Sequence, residues 1–370
     1  MSNLRQGGVV VYPGPDQEAE HERATHHEIA RRLAKLQGLD FAGEYDPAKD
    51  YPEPLYFVPV DVFVGVEKAQ RLGMRNEYDL FGGVVPEPFM ATKSITHPLV
   101  SPKSSAPLAW PEEFCRRVHD VVLTGYSAFS LEDAQLAGLR LLEFGPVRMK
   151  SVRATAGRGQ ALITSADELT DKLNTLDAEE VARHGLVLEE HLADITTHSV
   201  GQVQVSDSLI SYYGTQHLTT DNQGAVVYGG TDLVVVEGSW EALLALELSD
   251  EVRNAIAKAR VFDTAAIQCL PGFFASRRNY DVACGVDASG ARRIGVLEQS
   301  WRIGGASSAE VVALEAFQTK SAPKVVHASS IEIYGTERHP PQDATILFSG
   351  VDADVGAITK CVMLGCYDYI

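Results

Sequence analysis

The stretch GVLEQSWRIGGAS, Gly295–Ser307, together with the segment before it, RRNYDVACGVDASGARR, Arg277–Arg293, decides how this chain is read. Val282, Ala283, Cys284 and Val286 form a short apolar run, Asp287 to Gly290 is a turn cluster, and Ile294 to Leu297 is a second apolar run. The spacing predicts a β-hairpin. Side chains two apart on a strand share a face, so Glu298, Ser300 and Arg302 would project together, with Asp281 added from the partner strand. Oxygen ligands of this kind suit Mg²⁺, and a guanidinium neutralises phosphate charge. Gly304 and Gly305 would let backbone approach a bound group closely. Taken alone, these residues equally describe an exposed hairpin end with solvated charges.

A second stretch breaks that tie. In VRMKSVRATAGRGQALIT, Val147–Thr164, two β-like runs flank a loop containing Gly157, Arg158 and Gly159, and Lys150 sits on the first run. A glycine loop can lay backbone N–H groups on phosphate oxygens, with a strand lysine as a fixed positive charge beside them. The loop matches neither G-x-x-x-x-G-K-[ST] nor G-x-G-x-x-G. Downstream, LVLEEHL (Leu186–Leu192) reads as a buried strand ending in paired acids, Glu189 and Glu190.

In this order the motifs resemble the ATP-grasp superfamily, over roughly Lys93 to Ser307, and the wider pattern is similar to an uncharacterised bacterial family within it. The resemblance implies an α/β fold, α+β in its nucleotide-binding part, preceded by an N-terminal parallel-sheet domain. The expected divisions are 1–110 for that domain and a linker, 111–192 for the part carrying the lid and glycine loop, and 193–370 for the core with the metal site. ATP and Mg²⁺ are the implied cofactors. Lys93, Lys150, Gly157, Arg158, Gly159, Glu189, Glu190 and Leu192 are the implied nucleotide contacts, Asp281, Glu298 and Ser300 the metal ligands, and Lys150 and Arg302 the catalytic charges. Two departures stand out. Members usually carry Asn where this chain has Ser300, and another acid where it has Thr196-Thr-His198, so His198 is taken as the substitute ribose contact.

The implied chemistry is that of a ligase: a carboxylate is activated as an acylphosphate, then attacked by an amine or thiol. A small-molecule kinase shares every ATP-side residue, and the departures at Ser300 and His198 keep open a nucleotide-binding regulator or scaffold without turnover. The implied partners are small-molecule carboxylates and amines, and since many members are dimers a homodimer is open as well.

Composition agrees with a soluble globular chain of two or three domains: 370 residues, 45% hydrophobic and 22% charged. A net charge of −18 argues against a nucleic-acid partner and against an anionic membrane surface. The start, MSNLRQGGVVVYPGP, has an apolar run too short for a signal-peptide core, so a cytoplasmic protein is expected. Cys115, Cys269, Cys284, Cys361 and Cys366 form no C-x-x-C pair and read as buried free thiols rather than zinc ligands or disulfides. His21, His26 and His27 lack the i, i+4 pair of a helical metal site and read as a solvated helix face. Ser101 to Pro111 is Ser- and Pro-rich and reads as a linker, while Ser130-x-x-Asp133 and Ser165-x-x-Glu168 open helices with capping patterns.

Overall fold

The computed structural model describes residues 7–14, 18–152, 159–319 and 324–367. GVVVY forms β1 (Gly8–Tyr12), whose first four residues are fully buried. α1 (Glu20–Gln37) follows, ended by Gly38 at φ +68°, a left-handed conformation that glycine adopts without steric cost. β2 (Asp40–Glu44) and β3 (Leu55–Pro59) pair with β1 to give a parallel sheet in the order β2-β1-β3. The sequence gives little sign of β2, because this edge strand has alternating exposed residues and only Phe41 and Ala42 as apolar content. The run Leu55–Val64 divides at Pro59 into β3 and β4 (Phe63–Val64). α2 (Val66–Leu72) and β5 (Gly83–Val85) complete this region. His21 is buried, with its backbone N–H on Asp352, so the expectation of a wholly solvated histidine face fails there: the helix packs that side against the carboxy-terminal strands.

The middle of the chain runs α3 (Glu112–Val118), β6 (Gly125–Ala128), α4 (Leu131–Leu142), β7 (Val147–Ser151), β8 (Gln160–Ile163), α5 (Ala166–Leu173), α6 (Ala178–His184) and β9 (Leu186–Glu190). Its four strands form an antiparallel sheet in the order β6-β9-β7-β8, with α4 and α5 packed over an apolar face that includes Leu141, Met149, Leu169 and Leu188. Both caps form: Ser130 Oγ accepts from the Asp133 N–H at 3.1 Å, and Ser165 Oγ from the Glu168 N–H at 3.2 Å.

The rest supplies β10 (Ala193–Val205), β11 (Ser208–Thr220), β12 (Val226–Glu237), α7 (Trp240–Leu244), α8 (Asp250–Cys269), β13 (Phe274–Ala275), β14 (Arg277–Val286), β15 (Arg292–Ser300), α9 (Ser307–Phe317), β16 (Val325–Tyr334), β17 (Thr345–Asp352) and β18 (Gly356–Leu364). Eight of these strands make one antiparallel sheet ordered β15-β14-β10-β11-β12-β16-β18-β17, while β13 pairs back onto β5. Directly paired residues share a face. Val200, Tyr280, Val282 and Val296 therefore pack together under α8, and Val203, Tyr212, Leu233 and Val235 lie on the other face with α9. α9 begins at Ser307, whose side chain does not cap it. Its Oγ instead accepts from the Gly304 N–H at 3.0 Å and closes the glycine turn.

One buried ion pair fixes that turn. Arg277 of β14 grips Glu310 of α9 through two hydrogen bonds of 2.7 and 2.8 Å, and both side chains are essentially inaccessible to water. The same guanidinium donates to the carbonyls of Ser300 and Arg302. The five cysteines form no disulfide; Cys115, Cys284 and Cys361 are buried as expected, but Cys269 is partly exposed and Cys366 exposed, and no helix among the described residues is long and apolar enough to cross a membrane. Arg277→Met should leave Glu310 as an uncompensated buried charge and cost about 3–5 kcal/mol, read as a lower urea midpoint at unchanged slope.

Candidate active site

The hairpin forms as its turn chemistry dictates, with Asp287 Oδ1 accepting from the N–H groups of Ser289 and Ala291. In its register Asp281 faces Glu298 and Asn279 faces Ser300, and an irregularity after Asp281 leaves Leu297 unpaired. The two carboxylates thus lie side by side on the face opposite α8. Lys93 arrives from a short turn, Lys93–Ile95, and its Nζ lies 2.9 Å from Glu298 Oε2. Gln299 holds that turn in place by donating to the carbonyls of Met90 at 3.2 Å and Thr92 at 2.7 Å. The sequence reading left Gln299 without a role; its contacts are to segments more than two hundred residues away.

Asp281 Oδ1 accepts from Gln216 at 2.8 Å and from Asn279 at 3.0 Å. Burial and the neighbouring Glu298 push its pKa from 3.8 up to about 6, against those two hydrogen bonds and the charge of Lys93. The folded chain therefore holds a proton there that the unfolded chain has lost, and this group's contribution to stability falls as pH rises from about 4 to 6. A divalent cation between the two carboxylates would remove that penalty, so the donor set suits Mg²⁺. Ser300 Oγ lies 3.4 Å from Arg277 Nη1. Arg302 is half exposed, with Nε 3.8 Å from Asp61 and Nη1 donating to its neighbour's carbonyl, Ile303 O, at 2.9 Å.

A second charge cluster joins the middle sheet to the segment after Lys93. Lys150 Nζ is 2.5 Å from Glu189 Oε1, and His97 Nε2 is 3.1 Å from Glu189 Oε2, all three side chains being buried. Burial disfavours the Glu189 charge, but Lys150 and His97 outweigh it and hold the carboxyl down at about 2, below its ordinary 4.5. That stabilisation is complete above pH 4.5 and is lost as pH falls toward 2. His97 carried no sequence signal, since its partner is 92 residues away. Gly125 leaves it room: a Cβ there would lie 2.9 Å from the imidazole and 2.8 Å from the Leu188 carbonyl.

The other candidates divide. Leu192 is buried with Leu123 and Ala283 in a small apolar cluster beside Leu297, at the end of β9. Glu190, an implied nucleotide contact, is engaged within the chain: its N–H donates to Thr124 O, and its carboxylate takes Arg293 at 3.0 Å and the Thr124 N–H at 2.8 Å. Gly159 starts β8 at φ +65°, and its carbonyl accepts from the Ser151 N–H. Gly157 and Arg158 lie outside the described residues. His198 does not join the site. It pairs with Val282, so it projects toward α8, on the face opposite Asp281, and a ribose contact from there is geometrically excluded. The period of two decides it.

Removing charge should shift Asp281 predictably. In Glu298→Gln its carboxyl should titrate below 6, and in Lys93→Met above it, as followed by carboxylate carbon NMR across pH 3–8. Glu189→Gln should cost about 3–5 kcal/mol at pH 7, with the difference from wild type narrowing in acid as the native charge is neutralised, measured by denaturant unfolding at each pH.

Comparison with solved structures identifies the architecture. The chain is similar to phosphoribosylamine–glycine ligase from Thermotoga maritima, at 14% identity over 96% of this chain and 92% of that one, with a TM-score of 0.51. It is also similar to a β-γ-ATP complex of biotin carboxylase from Campylobacter jejuni (10% identity, 98% and 88% coverage, TM-score 0.51). An ADP complex of N5-carboxyaminoimidazole ribonucleotide synthetase matches at 12% identity, 97% and 92% coverage and a TM-score of 0.50. No curated protein matches the chain. These likenesses establish an ATP-grasp fold, and the family model described as "Protein of unknown function (DUF3182)" matches residues 9–362: the chain belongs to that family.

Proposed function

We propose that this protein is an ATP-dependent carboxylate–amine or carboxylate–thiol ligase using Mg-ATP. The observation that carries the reading is the opposed pair Asp281 and Glu298 with Lys93 at 2.9 Å, on the face opposite α8 of a sheet whose architecture is shared with ATP-dependent ligases. Asp281 and Glu298 would hold the metal, with Ser300 beside them as a weaker oxygen donor. Bound Mg-ATP would supply the phosphoryl group that converts a substrate carboxylate to an acylphosphate, which the amine or thiol then attacks.

This chain's own residues would align and neutralise. Lys93 and Lys150 each sit on a carboxylate and would turn toward phosphate oxygens, and Arg302, on leaving its contacts with Asp61 and the Ile303 carbonyl, would neutralise charge on the transferred group. Leu192 and Leu297 offer apolar surface for a base, and Gly157, Arg158 and Gly159 are assigned to the phosphate-covering loop. The three proposed divisions, 1–110, 111–192 and 193–370, follow the same scheme. Tyr228 packs its ring against Gly305, where a Cβ would lie 2.6 Å away, so a residue larger than glycine would displace either the tyrosine or the turn below Arg302.

Thermal unfolding with and without Mg-ATP, on wild type and Glu298→Gln, tests the reading. A ligand at a hundredfold excess over its Kd should stabilise the wild type by about 2.7 kcal/mol, and the mutant markedly less. ADP release should then require both a carboxylate and an amine or thiol. A stable phosphorylated product without an acceptor nucleophile would assign a kinase instead, and no shift at millimolar ATP would sink the nucleotide site.

A further inference from the structure

The face of the large sheet that carries α8 brings together three side chains that the proposed ligase chemistry does not use. His198 on β10, Cys284 on β14 and Glu251 in the first turn of α8 each offer one donor atom, and these atoms all lie within 4.8 Å of one another. His198 and Cys284 are buried, and Glu251 is partly exposed. The placement follows from the ladder: His198 pairs with Val282 and Thr196 with Cys284, so imidazole and thiol share one face of neighbouring strands.

We propose that His198, Glu251 and Cys284 bind a Zn²⁺-type transition metal ion, separate from the carboxylate site on the other face. Imidazole, thiolate and carboxylate are the donors zinc takes at about 2.0–2.3 Å, whereas a thiolate does not suit Mg²⁺. Glu251, the most exposed of the three, is the donor that would close the remaining gap, through the oxygen it turns toward His198. Its two oxygens are already divided: Oε1 faces His198 Nε2 at 3.3 Å while Oε2 is held by Arg292, an arrangement that turns one oxygen inward and anchors the other. His198 is not a satisfied core histidine, since its Nδ1 is buried without a hydrogen-bond partner. One thiolate and one carboxylate supply two negative charges to a divalent ion, with the Arg292 guanidinium beside them on the solvent side of Glu251.

Glu251 lines an open cavity of about 850 Å³ beside Asn254, Lys258 and Arg292, so water can supply a fourth ligand from that side. The ion would tie the start of α8 to β10 and β14, directly behind the strand that carries Asp281.

The full chain, stripped with a chelator and kept free of nucleotide, is titrated with Co²⁺. One equivalent should produce a thiolate-to-cobalt charge-transfer absorption that Zn²⁺ bleaches. Cobalt at Asp281 and Glu298 gives no such band, so the result does not depend on the ligase reading. Cys284→Ser should abolish the band, and Glu251→Gln should weaken cobalt binding by about tenfold or more. The proposal is overturned by absence of the band at excess Co²⁺, or by its survival in Cys284→Ser. Loss of the band in Cys366→Ser would also overturn it, because that exposed thiol lies near His327. Should Cys284→Ser fail to fold, unchanged affinity in Glu251→Gln overturns it equally.

Discussion

The Arg277–Glu310 pair is the interaction on which the arrangement of the site rests. It lies where the hairpin strand β14, the glycine turn and α9 meet, and the Tyr212 hydroxyl joins it by donating to Glu310 at 2.6 Å while lying 3.0 Å from Asn279. Asn279 in turn donates to Asp281, so a chain of buried polar contacts runs from the helix to the carboxylates. A buried pair of this kind contributes modest net stability, yet breaking it is costly, and that asymmetry gives a unique geometry to the turn beneath Arg302.

The cationic groups of the site are not idle in the ligand-free chain. Lys93 is held by Glu298 and Lys150 by Glu189, so under the proposed function an incoming phosphate would compete with a carboxylate already in contact. The two contests differ. Glu189 keeps His97 if Lys150 turns away, whereas Glu298 without Lys93 would be left opposite the Asp281 carboxylate and would favour a cation. Anion and metal would therefore favour each other's arrival, the first freeing the carboxylates that the second requires.

Much of this was legible in the chain because it is local. The hairpin follows from Asp287 to Gly290 and its flanking apolar runs, the helix starts follow from Ser130 and Ser165, and the proximity of Asp281 to Glu298 follows from strand alternation. What could not be read is what depends on distant partners: β2, whose ladder is made with β1; His97, Gln299 and the Arg277–Glu310 pair; and the burial of His21. The reading of His198 failed for a different reason. A likeness that places a residue at about the right distance along the chain cannot tell which side of the strand it faces; only the register does, and it sends His198 behind the sheet.

Strand β14 serves both faces. Asn279, Asp281 and Ala283 point toward the carboxylate site, and Tyr280, Val282 and Cys284 toward α8, each set bonded to different neighbours. Within such a strand, loss or gain of one residue is far more disruptive than substitution. A single deletion between Asp281 and Cys284 would carry the thiol across to the carboxylate face and thrust a polar neighbour into the apolar layer beneath α8, injuring both surfaces at once. An inserted or deleted residue should therefore be far better tolerated in a turn such as Asp287–Gly290 than within the strand, and strand length is the property that substitution cannot repair.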